Sequence, residues 1–128
     1  GKVTRAHGWS HPELRTLAEA FDQLSATLEA HLREEAGVLY PAIAAREAGI
    51  RPQGPHRPIS EYLDEHAKVG ELVSRLRELS DDYTPPRDGC PSYRAMMAGL
   101  SDLDHAIRVH VHLENTELFP RAQSLGIT

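Results

Sequence analysis

Two stretches of the chain each set a histidine four residues ahead of a glutamate. His31 precedes Glu35 and His110 precedes Glu114; at matching offsets follow Leu39, Tyr40 and Pro41 in one copy and Leu118, Phe119 and Pro120 in the other. The pattern H-x3-E-x3-L-[Y/F]-P therefore occurs twice and reads as an internal duplication of half a site. A spacing of four residues puts both side chains on one helix face, a turn apart, where both reach the same ligand. A carboxylate on the apolar face of a helix must be paired, protonated or bound to metal, because an isolated buried charge is costly even after relaxation. That penalty disappears if Glu35 and Glu114 face each other and bridge two divalent ions, with His31, His66 and His110 as terminal nitrogen ligands. Mixed imidazole and carboxylate ligation suits iron above all and admits manganese or zinc, whereas calcium and magnesium prefer oxygen. The expectation is a di-iron centre.

One His–Glu pair at this spacing is more often an ordinary ion pair, and a lone histidine on a core stripe is more often a satisfied core residue. Five ligand-type residues on the core stripes of three helices require three such coincidences at once, which favours the metal. His105 and His112 lie on other faces of the His110 helix and are expected to meet solvent. His11 and His56 have no nameable partner, and Glu34 and Glu117 flank the motifs as outer or exposed acids. Tyr40 and Phe119 are expected to be packing plugs beside the site, and Cys90 a loop residue with nothing nearby to activate it.

The elements that must position these groups are helices. Leu14, Leu17, Phe21, Leu24 and Leu28 alternate steps of three and four, and the same rhythm continues through His31, Glu35 and Val38. Ser10 as N-cap and Pro12 in the first turn predict a helix from there to about Glu47, bent at Pro41. A second helix is predicted from about Ile59 to Leu79, with Ile59, Leu63, His66, Val69, Val73 and Leu76 inward. A third runs from Pro91 to about Gln123, with Met96, Leu100, Leu103, Ile107, His110, Glu114 and Leu118 inward. Pro and Gly gather at 49–58 and 85–91, which read as loops. No run alternates with period two, so the class is all-α, an antiparallel bundle of three long helices. Residues 1–7 read as the end of a further helix that stops near Gly8. Residues 1–128 are thus expected to be a single domain lacking most of its first helix, one side of the site being left open to water. A longer parent chain or a helix-exchanging homodimer would each supply the remainder.

Composition narrows the function. The 128 residues contain a single cysteine, so no internal disulfide, four-cysteine iron–sulfur site or c-type haem attachment is available, and a reducing, cytoplasmic setting fits. A net charge of −5 without a basic run argues against nucleic acid, and no apolar stretch approaches the ~20 residues of a membrane span. The Glu-x-x-His pairs of ferritin-like carboxylate bundles are absent from the sequence.

These residues resemble the hemerythrin-like bundles and, within them, the repair-of-iron-centres proteins. The resemblance covers nearly the whole chain: His31 to Pro41, Pro58, Ile59 and Ser60 leading to Glu65 and His66, Gly70 to Leu72, Thr84 to Pro86 with Cys90, and His110 with Leu113 to Asn115 and Leu118 to Ala122. Lys2, Val3 and His7 resemble the end of that family's first long helix. The resemblance implies a non-haem centre of two iron ions, bridged by carboxylate and by an oxo group, with His31, His66, His110, Glu35 and Glu114 as ligands and His7 as a further one. It implies repair of iron–sulfur clusters damaged by nitrosative or oxidative stress, with iron donation and reaction with nitric oxide or oxygen. The partners implied are proteins with damaged clusters. A module that binds or senses oxygen or nitric oxide without repair is the alternative. Two departures stand out: no upstream first-helix histidine and no small cysteine-containing N-terminal domain are present in this sequence.

Overall fold

A computed structural model describes residues 12–51 and 57–127. The expectations placed on His7, Ser10, His11 and His56 lie outside the described residues, as does the helix end read at 1–8. Helix α1 spans Glu13–Glu34 and passes through a π-helical turn, Glu35–Leu39, into α2, Tyr40–Glu47. Helix α3 spans Ile59–Leu79. Helix α4 spans Pro91–Leu113 and passes through a second π-helical turn, Glu114–Leu118, into α5, Phe119–Ser124. Among the described residues there is no strand, and no helix is long and apolar enough to cross a membrane.

Each π-turn has a local cause. Pro41 and Pro120 have no N–H to give to the carbonyl four residues back, and their rings crowd it. In both copies the preceding aromatic residue bonds five residues back instead, Tyr40 N–H to Glu35 O and Phe119 N–H to Glu114 O. The disturbance expected at Pro41 is therefore a widened turn beginning at the glutamate. The extra residue rotates the buried face by one position. Leu39 is buried where Val38 is expected, and Phe119 where Leu118 is expected. Both copies also end alike: Gly49 (φ 74°) and Gly126 (φ 92°) take the left-handed conformation, and Ile50 N–H and Ile127 N–H reach back to Ala45 O and Ala122 O at 2.8 and 3.0 Å.

The apolar residues form two clusters. One joins Leu14, Leu17 and Leu24 of α1 to Val69, Val73 and Leu76 of α3 and to Met97, Leu100 and Ile107 of α4. The other gathers Leu39, Ile43, Ile59, Tyr62, Phe119 and Ile127. Along every long helix the polar residues of interest fall between the two, so the site is capped by hydrocarbon above and below. Two stripe expectations need correction. Leu63 is exposed while Tyr62 is buried in its place, its ring between His31 and Phe119. Met97 rather than Met96 is fully buried.

A second polar centre braces the α3–α4 connection. Asp81, Asp82 and Tyr83 all have positive φ, at 51°, 56° and 62°, a conformation that costs non-glycine residues about 1–2 kcal/mol each. Ser80 Oγ accepts the Tyr83 N–H at 2.9 Å, and the Tyr83 hydroxyl donates to buried Asp104 at 2.5 Å. Arg77 and Arg108 donate to the same carboxylate at 2.6–3.1 Å. Between α1 and α4 lie two apolar cavities, one lined by Leu14, Phe21, Met96 and Leu103, the other by Leu28, Leu103, His31, His66 and His110.

Candidate metal centre

His31 and Glu35 come from α1 and the turn that follows it, His66 from α3, and Glu114 from the second π-turn. All four are buried, at 3 %, 0 %, 4 % and 4 % exposure, and one ligand atom from each lies within 4.8 Å of all the others. His31 Nε2 stands 2.8 Å from Glu35 Oε1, and His66 Nε2 stands 2.9 Å from Glu114 Oε1. His110 reaches the cluster from its rim. Its Nε2 is 3.2 Å from Glu114 Oε1 and 3.6 Å from Glu35 Oε1, while its side chain is 40 % exposed. The structure thus brings together five of the six residues singled out from sequence; the sixth, His7, lies outside the described residues.

The outer side of each buried histidine is held by a neighbouring helix. His31 Nδ1 lies 2.6 Å from Glu65 Oε1, and His66 Nδ1 lies 2.7 Å from Asn115 Oδ1. Both partners are acceptors, so both Nδ1 atoms carry the hydrogen and the Nε2 lone pairs turn inward. Those two Nε2 atoms meet at 3.0 Å. Two lone pairs so placed repel unless a proton or a cation stands with them. Arg57 steadies this frame, with Nη2 2.5 Å from Glu65 Oε2 and the guanidinium 5.1 Å over the Tyr62 ring.

Electrostatics point the same way. In the absence of a cation, burial lowers the His31 pKa, but the carboxylates of Glu114, Glu35 and Glu65 outweigh it and push it up to about 10, so that a proton takes the cation's place at Nε2. Burial raises the Glu35 carboxyl, and the facing Glu114 adds to that. Burial would raise Glu114 too, yet His31, His66 and Tyr40 around it hold it well below the usual carboxylate range. Even so, Glu35 Oε1, Glu114 Oε1 and His110 Nε2 are buried without a hydrogen-bond partner. They approach their neighbours closely without donor–acceptor geometry, as converging ligand atoms do. Buried polar atoms are almost always satisfied, so three together, all nitrogen or carboxylate oxygen, fit a cation-binding set.

Residues 2–122 match the hemerythrin HHE cation binding domain. The chain belongs to the hemerythrin family. This hemerythrin-type chain is 40 % identical over 121 residues to the iron-sulfur cluster repair protein YtfE of Edwardsiella ictaluri, covering 94 % of the chain and 53 % of that protein. It is 36 % identical to the YtfE of Enterobacter sp., with the same coverage, and 31 % identical over 118 residues to the iron-sulfur cluster repair protein ScdA of Staphylococcus haemolyticus, covering 92 % and 53 %. The chain spans about half the length of the curated relatives it matches. As expected of a hemerythrin-type bundle, the described residues form an all-helical bundle, and the buried His–Glu cluster fits metal binding.

One sequence expectation is overturned. Tyr40 is not a packing plug: it is 36 % exposed, and its hydroxyl donates to Glu114 Oε2 at 2.6 Å with Glu35 Oε2 at 3.4 Å. Phe119 does pack, stacked on the His66 ring at 5.1 Å. His105 and His112 face solvent. Glu65 and Asn115 were not separable by periodicity. The usable signal is that each is the polar neighbour in sequence of a ligand, Glu65 before His66 and Asn115 after Glu114, and serves the histidine of another helix.

Proposed function

We propose that this chain holds two iron ions among His31, Glu35, His66, His110 and Glu114, with His7 as a further ligand. We propose further that it restores iron–sulfur clusters damaged by nitrosative or oxidative stress. On this reading residues 1–128 work as one metal-holding domain in the cytoplasm, and its clients are proteins with damaged clusters. The observation that carries the reading is the convergence of inward Nε2 atoms and partnerless carboxylate oxygens in a buried centre. The names of the relatives supply the direction toward repair.

Bound iron would supply a change of oxidation state and an open position for nitric oxide or oxygen. The chain's own groups do the rest. Glu35 and Glu114 bring the negative charge that offsets the cations, and Glu65 and Asn115 keep the rings aimed. The two apolar clusters exclude water from above and below. His110, whose side chain is 40 % exposed, is the residue of the set that meets solvent. The test is transfer: anaerobically iron-loaded protein is mixed with a client whose cluster has been destroyed by nitric oxide, and the client's activity is followed. Recovery, with loss of iron from this chain, supports the reading. Reversible gas uptake with no iron leaving would replace it with a carrier or sensor.

A further inference from the structure

Among the shared positions of the motif, histidine, glutamate, leucine, aromatic and proline, the two copies differ at one. Where the second has Phe119, the first has Tyr40. Phe119 is buried and stacked on His66, whereas Tyr40 sits on the helix surface with its hydroxyl turned in to both glutamates. Both contacts fall on Oε2. The Oε1 atoms, which face the histidines, are those without a hydrogen-bond partner.

We propose that Tyr40 is a positioning residue that lowers the affinity of the centre for its cations, by stabilising the Glu114 carboxylate when the metal has left. The proposal rests on the metal-binding reading above. A hydrogen bond to a free carboxylate is stronger than one to a carboxylate whose charge is already drawn to a cation. The Tyr40 hydroxyl therefore stabilises the metal-free protein more than the loaded one, and only that difference changes affinity. It also keeps Glu35 and Glu114 at their present spacing through release, so that the centre can refill. A donor of iron needs such a residue, and one copy of the motif suffices to provide it.

The test compares wild type with Tyr40→Phe, which keeps the ring and makes the copies alike. Both proteins are loaded with Fe(II) without oxygen. Stoichiometry, the iron retained at equilibrium against a competing chelator, and the melting temperature of the metal-free form are then measured. A hydrogen bond to a charged group is worth roughly tenfold or more in an equilibrium constant. The expected variant binds the same number of ions, retains them against chelator about tenfold better, and melts lower than wild type when metal-free. A purely structural tyrosine would not separate the last two readouts in opposite directions. Tyr40→Phe holding iron against the chelator no better than wild type, with wild type binding normally, overturns this proposal alone. Wild type that binds no iron overturns the metal-binding reading and this proposal with it.

Discussion

Glu35→Leu should make the metal-free protein more stable while removing most of its metal uptake. Glu35 is fully buried; its Oε1 has no hydrogen-bond partner, and its Oε2 receives only a 3.4 Å contact from Tyr40. Leucine there continues the apolar row of Leu24 and Leu28 toward Leu39, and burying a leucine side chain contributes about 2 kcal/mol. Removing an unsatisfied buried polar group adds about 1–3 kcal/mol. Against this stand the lost contact with His31 and an imperfect fit, each about 1 kcal/mol. His31 keeps Glu65 and Glu114, and Glu114 keeps His66 and Tyr40, so no buried charge is left alone. The balance is about 1–3 kcal/mol in favour of the variant, in line with the replacement of other buried ionic groups by apolar ones. At about 4 °C per kcal/mol for a chain of this size, the melting temperature should rise by about 4–12 °C. The assay is calorimetry on both proteins freed of metal by chelation, with metal content measured after reloading. A metal-free variant that melts below wild type, or one that takes up as much metal, would refute the reasoning.

Asp104→Asn should destabilise the protein at neutral pH by about 2–3 kcal/mol, because it weakens charge-assisted bonds to Arg77 and Arg108 and the anchor for Tyr83. Burial raises the Asp104 carboxyl, but Arg77, Tyr83 and Arg108 hold it below its ordinary value. Its contribution is therefore present above the unfolded-state value of 3.8 and lost as pH falls through the lower folded one. Wild type and variant should accordingly converge in stability as pH falls below the folded-state value, as acid titrations followed by circular dichroism would record. Asn115→Ala should cost the metal-free protein about 1 kcal/mol, the worth of the hydrogen bond to buried His66, and weaken metal binding about 10–100-fold, since His66 loses the acceptor that fixes its inward Nε2. Calorimetric metal titration checks this, and unaltered affinity would show that Asn115 does not orient the ring.

Much of this molecule is legible in its sequence because helices convert spacing directly into direction. The steps of three and four along Leu14 to Leu28 mark the α1 face, and the four-residue step places His31 beside Glu35 before any tertiary contact is known. The change of face after each glutamate is not legible in the same way. It arises from Pro41, which reads as a bend, and from Pro120, inside a run that reads as straight helix; both force the extra residue that brings Leu39 and Phe119 inward. Groups that act across helices are also hidden. Glu65 serves His31, Asn115 serves His66, and Asp104 serves Tyr83 and Arg77, each at a separation of at least 21 residues. Tyr40 is masked by its own motif, in which phenylalanine at the matching position suggests a ring alone.

The most direct measurement is metal content per chain in protein purified without oxygen, with Glu35→Leu prepared in parallel. The proposed site predicts about two irons per wild-type chain and far less in the variant. Iron well below one per chain in wild type, or equal amounts in the two proteins, would contradict the assignment of His31, Glu35, His66, His110 and Glu114 as an iron centre.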